Sequence, residues 1–232
     1  MNTNQWDTHA DLYNKGMGLD GDTFHQSVID PLIERFVGDY KGKIILDAGC
    51  GNGYLIRKIS QDAKRVIAAD FSQSMLSIAQ ENTKSLSNIE YKNIDFTQPF
   101  PMESQSVDVV ICIMMLQYLP ALSVFAGESS RILTQDGIFI MVIDHPGHAL
   151  FARAQELIGG KKDKFITSAS YFMDGIRKKK SLWDKAVLEY YHRPIKNYIN
   201  VFAQYYSLEE MDEITQDGET PRILGIKWKN RC

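Results

Sequence analysis

The chain has 232 residues, 44% of them hydrophobic and 24% charged, with a formal net charge of −3, which suits one globular domain or one domain with an insertion. A near-neutral balance supplies no strong field for DNA or anionic lipid, and apolar runs stay far below the ~20 residues that span a bilayer. The N-terminus lacks a basic region followed by an apolar stretch, and Cys50, Cys112 and Cys232 fit neither a disulfide framework nor a zinc site, which points to a reducing, cytoplasmic setting.

Residues 23–38 read as a helix, because Val28, Ile29, Leu32, Ile33, Phe36 and Val37 recur on one helical face. Thr23 with Gln26 is a candidate capping box at its start. Lys43–Ala48 is a short apolar run that ends in a glycine-rich turn, and residues 52–61 look helical. Arg65–Asp70 (RVIAAD) is a second apolar run, with Ser72 as a cap for the helix that follows. Ile89–Ile94, Val107–Ile113 and Ile138–Ile143 are three more strand candidates, and a helical stretch covers roughly 118–132. These strands are apolar on both faces and separated by helices, as in a parallel sheet covered on both sides. Ligands in such folds sit beyond the carboxyl ends of the strands.

Three strand ends carry chemistry. The first reads Asp47-Ala48-Gly49-Cys50-Gly51-Asn52-Gly53. Its glycines permit positive φ and close backbone approach, and a helix N-terminus follows. Tyr54 stands where a dinucleotide fingerprint needs glycine, and no phosphate-loop pattern is present. A carboxylate beside the glycines repels pyrophosphate and suits a ligand that carries an amine. Asp70 closes the second strand, where a carboxylate accepts hydrogen bonds from both ribose hydroxyls. Asp95-Phe96 follows the third strand, an acid beside a ring that suits an exocyclic amine and the base bearing it. Together they describe a ligand with an amine, a ribose and an adenine-like base.

Residues 44–53 (IILDAGCGNG) resemble the first motif of class I, Rossmann-like S-adenosylmethionine-dependent methyltransferases, a hydrophobic strand followed by D/E-x-G-x-G-x-G. RVIAAD is similar to that family's second strand with its ribose-binding acid. NIDFTQPFPMESQSVDVVICIMMLQYLP is similar to its adenine-binding acid, Pro-rich loop and fourth strand, and LTQDGIFIMVI to its fifth. The resemblance covers about residues 40–145. Trp6–Pro31 and 191–202 resemble the general small-molecule branch.

The resemblance implies an α/β, doubly wound, mostly parallel seven-stranded sheet of order 3-2-1-4-5-7-6, strand 7 antiparallel, with helices on both faces and a cap insertion. Strands 6 and 7 fall at about 208–214 and 222–229. It implies S-adenosyl-L-methionine as cofactor: Gly49, Gly51 and Gly53 along its methionine part, Asp47 facing its amino group, Asp70 on the ribose, Phe71 beside the adenine, Asp95 at the adenine amine with Phe96 flanking, and the backbone carbonyl of Ile113. Tyr13 is expected near the cofactor carboxylate. Gln117-Tyr118 stands where relatives often carry His-His. The expected organisation is one methyltransferase domain: an N-terminal helical lid at 1–40, the cofactor core at 41–144, a cap at 145–190, and a last helix with closing strands at 191–232.

Methyl transfer needs alignment above all, and a general base only for an acceptor protonated at working pH. His145, just after the fifth strand, is the first candidate base, followed by His148, His192 and Tyr171; no metal is implied. The charge is uneven. Residues 151–200 hold 11 Lys and Arg against 5 Asp and Glu, whereas the remaining residues hold 15 against 24. Arg177-Lys178-Lys179-Lys180 is its densest part, read either as a solvated face or as a cap over an anionic substrate. The expected partner is a small-molecule acceptor, possibly anionic, with nucleic acid unlikely and no membrane. Two other readings are a tRNA base methyltransferase and a non-catalytic S-adenosylmethionine-binding protein.

Overall fold

A computed structural model describes residues 3–148, 169–180, 187–215, 218 and 220–231. Thr3–Met17 forms α1. A π-turn at His25–Ile29 runs into α2, Asp30–Val37, with Pro31 in its first turn. Pro31 has no N–H to donate, and the chain passes it with a wider turn in which Asp30 N–H reaches His25 O. The cap of this helix differs from the expected Thr23. Asp22 takes that place, its Oδ1 accepting from His25 N–H at 2.9 Å and its carbonyl from Gln26 N–H at 2.9 Å. Gln26 Nε2 instead donates to Gly21 O.

The strands and helices alternate thereafter: β1 Ile44–Ala48, α3 Tyr54–Ile59, β2 Arg65–Asp70, α4 Gln73–Asn82, β3 Ile89–Asn93 and β4 Val107–Ile113. Ser72 caps α4 by accepting from Met75 N–H at 3.1 Å. After β4 comes a 3-10 turn, Leu116–Tyr118, then α5, Ser123–Ile132. β5 spans Leu133–Asp144, longer than the apolar run predicts, because Leu133 already pairs with Val107 before a register shift.

The cap region contributes α6, Ala169–Phe172, and a hairpin of β6, Gly175–Lys180, with β7, Val187–His192. The chain then forms α7, Ile195–Phe202, β8, Tyr206–Thr215, and β9, Pro221–Asn230. The cap residues 149–168 and 181–186, which include Trp183, and Cys232 lie outside the described residues.

The main sheet runs β3-β2-β1-β4-β5-β9-β8, with β9 antiparallel to both its neighbours. This is the expected seven-strand order with the β6–β7 hairpin set outside the sheet. One face carries an aromatic core of Phe96, Phe125, Phe139, Phe202, Tyr206 and Trp228, and the other buries Ile45, Val66, Val109, Ile111 and Ile140 against α2 and α3. Both faces being covered explains why β1, β2, β4 and β5 read as mostly apolar runs, whereas the edge strand β3 is only half-buried. Among the described residues, no helix is long and apolar enough to cross a membrane.

Candidate active site

The carboxyl ends of β1, β2, β4 and β5 open onto a cavity of about 410 Å³, in the size range of small-molecule sites. Tyr13, Gly49, Gly51, Asp70, Phe71, Phe96, Ile113 and His145 line it. Asp47, Gly53 and Asp95 are not among the lining residues.

The glycine turn is built as a cradle. Gly49, Gly51 and Gly53 have φ of +83°, +54° and +80°, a region that side-chain-bearing residues rarely adopt. A Cβ on Gly49 would stand 2.7 Å from Met115 Cγ, and one on Gly51 3.3 Å from the Tyr13 ring. Gly53 serves packing instead: its Cβ would meet Ala79 of α4 at 3.2 Å. Gly49→Ala is therefore expected to lose about 2–4 kcal/mol, combining backbone strain with overpacking. Urea unfolding measures it; a loss under about 0.5 kcal/mol would show that Met115 moves aside.

Asp70 ties the turn to the next helix. Its Oδ2 accepts from Gly51 N–H at 3.0 Å and its Oδ1 from Ser72 N–H at 2.9 Å. Burial pushes its carboxyl up to about 6, against the backbone donors that favour the charged form. Asp47 is 3% exposed. Its Oδ2 has no hydrogen-bond partner, and no ion pair reaches the carboxylate among the described residues. Burial and the neighbouring Asp70 charge push it up to about 7.

The third acid behaves differently. Asp95 Oδ1 accepts from Thr97 N–H at 2.9 Å and Thr97 Oγ1 at 2.7 Å, which spends that oxygen on a local turn. Phe96 packs edge-on to Phe100 at 5.3 Å, deep in the aromatic core.

The N-terminal helix lies over the cradle. Asn14 Oδ1 accepts from both Asn52 Nδ2 and Asn82 Nδ2 at 3.0 Å, and Asn52 Nδ2 also reaches Gly18 O at 2.8 Å. Asp7 Oδ1 accepts from Ser72 Oγ at 2.5 Å and Ser74 N–H at 3.2 Å. The cap hairpin meets the same helix: Glu189 N–H donates to Gln5 Oε1 at 2.8 Å, and Gln5 Nε2 donates to Glu189 O at 3.3 Å.

The basic run divides by strand alternation. Lys178 faces outward and pairs with Glu189, whereas Lys179 turns into the cavity. There its ammonium lies 2.5 Å from Asp144 Oδ2 and 5.5 and 5.6 Å from the Tyr118 and Tyr190 rings. Charge on the cap is thus neutralised at the pocket by Asp144.

His145 lines the cavity, but its ring is committed. Nδ1 accepts from Gly147 N–H at 3.1 Å, which leaves Nε2 to donate to Glu213 Oε1 at 2.7 Å. The expectation of His145 as base is corrected on that ground: no lone pair is open to take a proton. His148 Nδ1 donates to Pro221 O and its Nε2 accepts from Arg222. His192 donates from Nε2 to Tyr171 O at 2.9 Å.

One pocket histidine was not expected. His25 Nδ1 lies 2.8 Å from Asp22 Oδ1. The carboxylate accepts, so Nδ1 carries the proton and Nε2 holds the lone pair. Sequence patterning hides this pair, because Asp22 and His25 sit at a helix start, where capping alone accounts for them. Among the described residues no group of three or more His, Cys, Asp or Glu side chains could hold a metal ion.

The class is defined by the topology together with a glycine cradle between two acids, the buried Asp47 and the half-buried Asp70, at the ends of β1 and β2. The cradle and the unpartnered Asp47 fit a ligand that brings a cation and hydroxyls to that corner. Residues 46–141 match the family model described as Methyltransferase domain. A ubiquinone biosynthesis O-methyltransferase of Acinetobacter baylyi is 27% identical over 121 residues, 50% of this chain and 46% of that protein. The chain thus spans about half the length of that relative. An S-adenosylmethionine-dependent methyltransferase structure from Mesorhizobium loti superposes with TM-score 0.72 at 20% identity, covering 92% of this chain and 100% of that one. N-methyltransferase NodS from Bradyrhizobium japonicum, in complex with S-adenosyl-L-homocysteine, gives 0.69 at 16% identity, covering 99% of each chain. Over residues 46–141 the chain is thus similar to methyltransferase domains, and its fold is that of S-adenosylmethionine-dependent methyltransferase structures.

Proposed function

We propose that this chain transfers a methyl group from S-adenosylmethionine to a small-molecule acceptor. The buried Asp47 carboxylate carries the reading: a charge held without a partner is costly and is relieved by a ligand ammonium. Asp70 takes the ribose hydroxyls, Gly49 and Gly51 let the methionine part approach the backbone, and Phe71 and Phe96 border the base. Tyr13, beside Gly51, faces the ligand carboxylate. The backbone carbonyl of Ile113, in the cavity lining, meets the cofactor. Asp95 reaches the adenine amine only through its remaining oxygen.

When bound, the cofactor supplies a methyl activated on a sulfonium. The chain's own residues then orient, exclude water and manage a proton. α1 and the β6–β7 hairpin, joined through Gln5 and Glu189, form the cover. His25, oriented by Asp22, takes the proton of a hydroxyl or ammonium acceptor at Nε2, the role first expected of His145. Buried thiols at Cys50 and Cys112 suit a cytoplasmic setting.

Titration calorimetry with S-adenosylmethionine and transfer of labelled methyl to a pool of phenols, acids and amines test the reading. Wild type is expected to bind and transfer. His25→Gln is expected to bind equally and to lose at least about tenfold in turnover. Absence of binding overturns the function; equal turnover in His25→Gln overturns the proton-accepting role.

A further inference from the structure

The cavity is largely apolar, with groups of opposite charge at its two ends. Its β1–β2 corner is lined by the half-buried Asp70, with the buried Asp47 behind the lining. Its opposite wall, at the start of β9, holds Arg222. Between β1 and β9 lie β4 and β5, so the two ends stand roughly 14 Å apart, three strand spacings of about 4.8 Å.

Arg222 is an unusual cation for this protein. No carboxylate pairs with it among the described residues. Nη1 donates to His148 Nε2 at 3.0 Å. The guanidinium carbon lies 5.4 Å from the centroid of the Phe24 ring, and Nε is shielded from solvent without any acceptor. The buried arginine of the cavity shows the contrast. Arg193 leaves Nη1 without an acceptor but gives Nη2 to the carbonyls of Leu119 and Pro120, at 2.5 and 2.8 Å, and so clamps the chain after the 3-10 turn. The half-buried Arg222 has, among the described residues, one acceptor, a neutral imidazole.

His148 is held neutral by the same geometry. Its Nδ1 proton goes to Pro221 O at 3.2 Å and its lone pair faces the guanidinium; burial and the Arg222 charge both lower its pKa. Lys179, the other cation of the cavity with an open head, is already matched by Asp144. Among the described residues no carboxylate hydrogen-bonds this guanidinium, and the Nε and Nη2 of its planar fork have no protein partner. A desolvated donor without an acceptor costs more than one left in water, and a carboxylate matches such a fork in charge and shape.

We propose that Arg222 is the acceptor-binding residue, and that it takes the carboxylate of a monoanionic acceptor at its Nε–Nη2 edge, with Phe24 covering one guanidinium face and His148 fixing its orientation. The assignment rests on the methyl-transfer reading for the word acceptor alone; the anion site itself stands on the geometry of Arg222. A single positive charge beside a neutral histidine favours a carboxylate over a dianionic phosphate.

Benzoate, benzamide and phenyl phosphate serve as probes, in thermal unfolding with and without saturating S-adenosylhomocysteine at pH 8. Benzoate is expected to raise the melting temperature by mass action and benzamide to leave it unchanged. Arg222→Gln is expected to remove the benzoate response, Arg222→Lys to keep part of it as a point charge, and both to hold S-adenosylhomocysteine within about twofold of wild type. Equal stabilisation by benzamide, stronger stabilisation by phenyl phosphate, or a benzoate response surviving in Arg222→Gln overturns the proposal. So does a tenfold loss of S-adenosylhomocysteine affinity in Arg222→Gln, which would assign the guanidinium to the cofactor's own carboxylate. The arm without S-adenosylhomocysteine reads the anion site even if the cofactor does not bind, so failure of the cofactor assignment is seen separately.

Discussion

Asp70→Asn is expected to weaken S-adenosylmethionine binding by at least about 100-fold, roughly 3 kcal/mol, with the fold intact. The carboxylate does two things at once. It holds Gly51 N–H and Ser72 N–H, one on each oxygen, and keeps lone pairs on both oxygens for ribose hydroxyls. An amide has only one accepting oxygen and turns an NH2 toward one of those two donors. The glycine turn then loses its tie to α4, and the ligand loses a charged acceptor. The turn keeps a second anchor, because Gly49 and Cys50 N–H both donate to Ala69 O at 2.8 and 3.0 Å. Titration calorimetry and circular dichroism together separate the outcomes: native affinity in a folded Asp70→Asn protein would remove the ribose assignment.

Asp47→Asn has effects of opposite sign on stability and binding. Burial and Asp70 raise the Asp47 carboxyl from 3.8 to about 7. Between those values the folded state holds a proton that the unfolded chain has released, so folding stability declines as pH rises through about 4 to 7. An asparagine carries no charge and is expected to remove that decline. At pH 8 the gain is up to about 4 kcal/mol, at about 2–4 °C per kcal/mol for a chain of this size. The same change takes away the counter-charge for a ligand ammonium, so S-adenosylmethionine no longer raises the melting temperature. In the wild type, affinity should strengthen as pH rises through about 7, because the ammonium binds the ionised form. Calorimetry in buffers of different ionisation enthalpy should detect proton release near pH 6. A variant less stable than wild type at pH 8, or one that binds normally, would show that Asp47 is satisfied by something other than a cationic ligand.

Other residues trace where reading the chain succeeds and where it stops. Val107–Ile113 has the bounds that its largely apolar run predicts; its one charged residue, Asp108, is partly exposed and accepts from Ile44 N–H at 2.8 Å. The glycine turn was legible too: three residues at positive φ within five positions demand glycine. The β6 strand was not. Arg177–Lys180 has neither the apolar content nor the β-branched residues of a strand, and the pairing of β6 with β7 shows only in the folded chain. Lys179 and Lys178 are neighbours in one charge run, yet one enters the cavity and the other meets solvent. His145 and His25 show the same limit. Both are single histidines near the right end of the sheet. Only their partners, Gly147 and Glu213 for one and Asp22 for the other, determine which keeps a lone pair.

By itself the sequence determined the alternation of strands and helices and the glycine turn, and its resemblance to a known family implied the strand order. The first two follow from local constraints: apolar content and positive φ. Tertiary structure alone decided which acids are left without partners, which basic residues face inward, and that Arg222 meets His148 across 74 positions. Such features depend on how distant segments are brought together. A side chain's free proton site or uncompensated charge is what remains after every neighbour has taken its share, and neighbours far apart in the chain cannot be counted from it.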